Sequence, residues 1–239
     1  MDKPLSLAST IERHDTLTDQ AEAVLRESLM SGAFHPGQTI TIRALSGLLG
    51  VSVTPAKDAM TRLIGERVLE WGPRRSALVP ALTVKGIDEI YAIRLALEAA
   101  AASAAVANFD DKALVELRKT QEKLRTAFER KHYKNVLVSN REFHFSIYRR
   151  ADLPMLLSMI EGLWLRLGPS LNLLYSTYSK HQWEREGIGF HSEIIDALAA
   201  KDVEAVRRHI SEDLITGRDR LETIVAEGDK PVPRVSRLG

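Results

Sequence analysis

The 239-residue sequence contains no cysteine. That absence excludes disulfides, thiolate metal ligands and a thiol nucleophile. An excess of one charge sign is missing too: 33 Lys and Arg against 32 Asp and Glu leave a formal net charge of +1. The chain as a whole is therefore no polycation built for nonspecific attraction to nucleic acid. No uninterrupted apolar run approaches the roughly 18 residues of a membrane-spanning helix. The opening MDKPLSLASTIERHD lacks the apolar centre of a secretion signal. The expected location is cytoplasmic, with no membrane partner. Aromatic residues are sparse at 6%, while 44% hydrophobic and 27% charged residues are ordinary for one large or two modest globular domains.

What the chain does have is punctuation. In LLGVSVTPAKDAMTRL, residues 48–63, two apolar helical runs are split by Gly-Val-Ser-Val-Thr-Pro, too short a break for a loop with a task of its own. Such a break sets the angle between two helices. Upstream, residues 1–14 read as a flexible arm. LTDQAEAVLRESLMSG then places Ala21, Val24, Leu25, Ser28 and Leu29 on one face, with Gly32 suited to a left-handed cap. HPG at 35–37 is a turn, and TIRALSGLLG a short helix capped by Thr41 and ended by Gly50. After the break, Ala56, Ala59, Met60 and Leu63 form one stripe. Pro55 is tolerable in the first turn, and Ser52 or Thr54 can cap. VLEWGPRRSALVPAL reads as two short strands around a Gly-Pro-Arg-Arg turn. Together these elements predict a winged helix-turn-helix over residues 15–80. Its helix opening near Ser52 aims its N-terminal end at the major groove of double-stranded DNA. Between Arg43 and Arg75 six basic residues (Arg43, Lys57, Arg62, Arg67, Arg74, Arg75) stand against three acidic ones (Asp58, Glu66, Glu70). This is a modest patch, so tight binding calls for a dimer.

Past a linker at 81–86 the composition changes. IDEIYAIRLALEAAAASAAVANF is an Ala-rich helix, and further helical stretches run over 111–130, 133–150, 154–178, 184–200 and 202–226. The expected fold is mainly α: the winged unit followed by an all-α six-helix bundle at 87–227, with a disordered tail at 228–239. The Ala run at 99–107 reads as a close-packing face that also suits dimerisation. Two features of this half carry chemistry. Asn140 and His144 are one helical turn apart and share a face. Arg94 lies in an otherwise apolar helix one turn before Glu98. It either pairs with that residue or points into a cavity to clamp a carboxylate.

VLRESLMSGAFHPGQTITIRALSGLLGVSVTPAKDAMTRL resembles the N-terminal domain of GntR-type bacterial transcription regulators. The helical half is similar to the FCD effector-binding domain of the FadR subfamily, in its VanR-like branch. There, IRLALE (93–98), NREFH (140–144) and FHSEIIDALAAKDVEAV (190–206) resemble the domain's signatures. The likeness covers roughly residues 17–225. It implies DNA contacts from Arg43, Ser52, Val53, Thr54, Lys57, Arg62, Arg75 and Ser76. The family carries Arg where this chain has Val53 and Lys57, and Gly where it has Ser76. The apolar Val53 thus replaces a guanine-reading cation, and base preference there should shift. The resemblance also implies a divalent metal site, with zinc, nickel or manganese as candidates. Its ligands map to Asn140, His144, His191 and Asp213, one carboxylate being lost at the first position and one gained at the last. His209, four residues before Asp213, remains an alternative last ligand. Arg94 is the effector contact that the resemblance favours, and Arg166, Asn172, Tyr175 and Tyr178 are further candidates to line the pocket, each equally open to a packing or surface role.

The expected function is a homodimeric, ligand-responsive transcription regulator, a repressor by kinship, that binds an operator and a small carboxylate effector. One alternative makes the metal itself the signal. Another reduces the helical half to a dimerisation module. A metal-dependent hydrolase is disfavoured because the sequence has no His-Glu-x-x-His and no glycine-rich phosphate loop.

Overall fold

A computed structural model describes residues 16–175 and 177–228. The expected arm at 1–14 lies outside the described residues, as does the expected tail save Gly228, which ends the last helix. Helix α1 (Leu17–Met30) starts on a reciprocal capping box between Thr16 and Asp19. It buries Ala21, Leu25 and Leu29. Val24, expected on that face, is 53% exposed, because the buried stripe follows a strict four-residue step. Gly32 (φ +69°) turns the chain after α1. Helix α2 (Ile42–Leu49) is capped by the Thr41 side chain and closed by Gly50 at φ +65°. Helix α3 (Val53–Gly65) buries Pro55, Ala56, Ala59, Met60 and Leu63. Ser52 stands at its N-cap without a side-chain capping bond, and Thr54 already lies inside the helix. The expected hydroxyl cap is therefore not formed.

The expected hairpin is present as β2 (Glu70–Trp71) and β3 (Ala77–Leu78). Sequence reading missed β1 (Thr39–Ile40), a two-residue strand too short to show periodicity. It pairs with β3 to give the antiparallel order β1-β3-β2.

The bundle contains α4 (Val84–Ala105), α5 (Asp111–Glu129), α6 (Tyr133–Tyr148), α7 (Pro154–Tyr175) and α10 (Val203–Gly228). Between the last two, the short α8 (Lys180–Gln182) runs through a π-helical turn, Trp183–Ile188, into α9 (Gly189–Ala199). The segment read as a linker, 81–86, is only half connection. Thr83 caps α4 through the Gly86 amide, so Val84 to Gly86 already belong to its first turn. Length and composition would let α4 span a membrane. It is instead a core helix that packs on α10 and α7, with Ala99, Ala101, Ala102 and Ala105 buried as the close-packing face.

Two apolar cores result, and α7 belongs to both. Leu165 is 1% exposed among the helix-turn-helix residues, while Trp164, Leu167 and Leu171 sit in the bundle core. Further ties cross the same boundary. The Asn172 amide donates to the Gly32 carbonyl at 2.6 Å. Arg141 on α6 holds the Glu27 carboxylate through bonds of 2.8 and 2.9 Å. Gly168 lets the backbones touch: a Cβ there would lie 2.7 Å from the Leu29 carbonyl oxygen and 2.9 Å from Met30 Cα.

Two substitutions in α7 separate that contact from helix propensity. Gly162 has open space around it, so Gly162→Ala should stabilise by up to about 1 kcal/mol. Gly168→Ala gains the same propensity but meets backbone, and should destabilise by about 1–3 kcal/mol. Urea denaturation of both variants measures the difference in sign.

Candidate metal centre and DNA-facing surface

The first turn of α3 fixes what the helix-turn-helix presents. Pro55 and Ala56 face the core, leaving Ser52, Val53, Thr54, Lys57 and Asp58 exposed. Arg43, in the first turn of α2, is exposed as well. At the wing, Arg74 (φ +54°) and Arg75 (φ +59°) occupy the left-handed region at an exposed tip. Left-handed backbone is uncommon outside glycine and occurs where surroundings or function demand it. Among the described residues no acidic partner engages Arg43, Lys57, Arg74 or Arg75 with an ion pair.

Two expected DNA contacts are placed elsewhere. Ser76 is 2% exposed, and its hydroxyl donates to the Pro73 carbonyl at 2.6 Å. It closes the turn from within, and the tip belongs to the arginines. Arg62 reaches Asp19 (2.7 Å) and Glu22 (2.9 Å) on α1. It therefore braces α3 against α1, and its hydrogen bond pulls the Asp19 pKa down to about 2.

In the bundle, a cavity of about 40 Å³ is lined by Tyr91, Arg94, Asn140, His144, Tyr175 and Asp213 among others. That volume suits an ion or a few waters. Behind its wall, held by the lining residues Arg94 and Trp164, lies a buried carboxylate. Glu98 accepts from Arg94 Nε (2.6 Å) and Nη2 (3.3 Å), from Tyr148 (2.7 Å) and from Trp164 Nε1 (3.0 Å). The Arg94 guanidinium also lies 4.7 Å from the Tyr91 ring and 4.5 Å from that of Trp164. Burial opposes its charge, but Glu98 outweighs this and raises its pKa. Of the two readings open for Arg94, the structure has the Glu98 pair while keeping Arg94 on the cavity wall.

One proton decides the orientation of His144. Burial and the Glu98 charge push the Tyr148 phenol well up, so it keeps its hydrogen and donates it to Glu98. Its 3.2 Å contact with His144 Nδ1 then requires Nδ1 to be the donor. With Nδ1 as the donor to Tyr148, His144 Nε2 faces Asp213 Oδ2, 3.3 Å away. Across that gap Nε2 either donates a hydrogen to the carboxylate or shares a metal ion with it. Burial raises the Asp213 carboxyl, but the His144 hydrogen bond and the surrounding positive groups outweigh it and hold the pKa down.

His191 is 1% exposed and stacks on Phe143 at 3.8 Å, 5.1 Å from the His144 ring. Both its ring nitrogens are buried without a hydrogen-bond partner, and burial lowers its pKa to about 3. A neutral imidazole with a buried, unused lone pair is costly to maintain and fits a metal ligand. Ligand atoms of His144, His191 and Asp213 all lie within 4.8 Å of one another. The donor set fits a divalent ion, and Asn140 shares the cavity wall. His209 is directed elsewhere, its Nδ1 pairing with Glu212 (3.0 Å) and Glu193 (3.2 Å).

Arg166 is absent from this cavity. It is exposed and donates to the Glu66 carbonyl at 2.8 Å, bridging α7 to the end of α3. Sequence reasoning missed Tyr148, Trp164 and Glu186 at the site. Glu98 alone left a signal, as an acid one turn after Arg94 at the head of the alanine run. Glu98→Ala should cost about 3–5 kcal/mol by stranding a buried charge, and adding Arg94→Met should recover at least half of the loss. Chemical denaturation of the single and double variants checks this.

Comparison with known proteins agrees with this division. The model for bacterial regulatory proteins of the gntR family matches residues 17–79, and that for the FCD domain matches residues 89–216. The chain is 36% identical to the HTH-type transcriptional regulator McbR of Escherichia coli over 200 residues, covering 84% of this chain and 90% of that protein. The solved E. coli McbR structure superposes with a TM-score of 0.81 at 35% identity, over 87% of this chain and 98% of that one. The HTH-type transcriptional repressor RspR of E. coli is 22% identical over 83% of this chain and 86% of its own length. Kinship of this extent also removes the hydrolase alternative. The chain belongs to the GntR family of bacterial transcriptional regulators and carries an FCD domain behind its DNA-binding unit.

Proposed function

We propose that the protein is a homodimeric repressor whose FCD domain holds a divalent metal ion and, beside it, a small carboxylate effector. His144, His191 and Asp213 are the metal-holding side chains, with the Asn140 amide as a fourth donor. The ion supplies a positive charge that attracts an anionic effector, and Arg94 adds a second cation on the same wall. Arg43, Ser52, Val53, Thr54, Lys57 and Arg75 form the DNA-facing set. The repressor assignment draws on relatives such as RspR, whose name carries that role.

The observation that carries this reading is that cavity and DNA-binding unit share the same two helices. Asn140 and His144 line the cavity from α6, while Arg141 between them grips Glu27. On α7, Leu171 lines the cavity and its neighbour Asn172 holds Gly32. A ligand that shifts either helix therefore biases the placement of α1 and α3. Dimerisation is supported by the exposed edge of α4, where Ala92, Ile93, Ala96 and Ala100 face outward.

The cavity's small volume favours a second reading in which the metal alone is the signal. Chelation separates the two. A metal sensor changes operator binding when the ion is stripped, whereas the effector model requires an added carboxylate.

Band-shift titration with the promoter beside the protein's own gene tests the proposal. Operator binding should weaken on adding the cognate acid, and binding indifferent to sequence at moderate salt would overturn it. Arg43→Ala should weaken operator binding by about 1–3 kcal/mol with an unchanged melting temperature. His144→Ala should lower metal content and abolish the effector response, and unchanged metal occupancy would remove His144 from the site.

A further inference from the structure

The exposed side chains of the first turn of α3 differ in how many base-edge features each can read. Ser52 and Thr54 carry hydroxyls that both donate and accept, so they suit any base pair. Lys57 is a point charge that serves a phosphate as readily as guanine. Asp58 accepts only, and it is repelled by phosphates. Val53 is different. It is 50% exposed, stands at the first helical position of α3 and has no polar atom. No other apolar side chain of that turn points outward, since Pro55 and Ala56 are buried. Leu48 and Trp71 are also exposed, but they lie on α2 and β2.

An apolar side chain at a major-groove edge has one favourable partner, the C5-methyl group of thymine. Against guanine it would cover the N7 and O6 acceptors, and against cytosine the N4 donor, without replacing their bonds to water. Those losses make the position selective by exclusion as well as by attraction.

We infer that Val53 is a specificity-determining residue that reads a thymine, its isopropyl group packing on that base's methyl in the operator. This rests on the reading of the chain as an operator-binding repressor with α3 in the major groove. It adds the chemical identity of one base and the group that selects it.

The test uses the full chain and a randomised duplex library, followed by deoxyuridine scanning of the selected site. Replacing thymine by deoxyuridine removes the methyl group and nothing else. The wild type should select a thymine at one position of each half-site. Deoxyuridine there should weaken binding about fourfold, as expected for one methyl group returned to water. Val53→Ser, with an unchanged melting temperature, should bind the two duplexes equally, and Val53→Arg should move selection from thymine to guanine. If a sequence is selected but methyl removal has no effect at any position, the thymine contact is overturned and the operator reading stands. The contact is overturned equally if Val53→Ser loses as much as the wild type. If no sequence is enriched at all, both fall together.

Discussion

The Glu98 carboxylate is the constraint on which the bundle's interior depends. It is fully buried, and four donors from three helices converge on it: Arg94 twice from α4, Tyr148 from α6 and Trp164 from α7. A buried charge of this kind persists only when its hydrogen-bonding capacity is filled, so those side chains have little freedom. The consequence passes outward by proton counting. Tyr148 spends its single hydrogen on Glu98, which makes Nδ1 the donor nitrogen of His144 and leaves Nε2 facing Asp213. The candidate metal site is thus tied to an ion pair one residue removed from any ligand.

The same carboxylate anchors α7 through Trp164, and α7 is apolar around most of its circumference because it is buried on two sides. Leu165, Gly168 and Asn172, at the i, i+3, i+7 spacing of one face, meet the helix-turn-helix. Trp164, Leu171 and Tyr175 meet the cavity. Pro169, inside this helix, deprives the Leu165 carbonyl of its usual donor. The ladder is weakest next to the residue that enters the DNA-binding core. A helix so placed responds to packing changes on either side.

Much of this was legible where the signal is local. The α3 stripe follows from helical spacing, the α1 and α2 caps from single residues, and the Arg94–Glu98 pair from a four-residue step. The gathering of His144, His191 and Asp213 needed the family resemblance, since they come from three helices. What failed was of longer range. Ser76 looked like a wing-tip residue by alignment, yet its hydroxyl had a nearer acceptor in Pro73. Of the residues in and just after α7 open to a pocket role, Tyr175 and Tyr178 do line the cavity, whereas Arg166 and Asn172 lie on faces turned to Glu66 and Gly32. Trp164 lay in an apolar run with nothing to separate a hydrogen-bonding indole from a packing one. Asn172 and Gly32, 140 residues apart, left no trace of each other in the sequence.

The distribution of charge explains how a chain of net charge +1 presents a DNA-facing surface. Acidic residues of the N-terminal unit are placed to neutralise particular cations: Glu22 and Glu66 take Arg26, and Asp19 with Glu22 takes Arg62. These pairs lie between α1 and the far end of α3, where positive charge would serve no ligand. Among the described residues, the cations left without ion pairs include those of the α2 start, the α3 first turn and the wing tip. A small number of free charges gives weak nonspecific affinity, so occupancy of the wrong DNA is held down and discrimination falls to base contacts and, in the proposed homodimer, to the spacing of its two units. On that proposal a site that alters α6 or α7 needs only to change the spacing, because the phosphate attraction of one unit is too slight to hold the protein in place by itself.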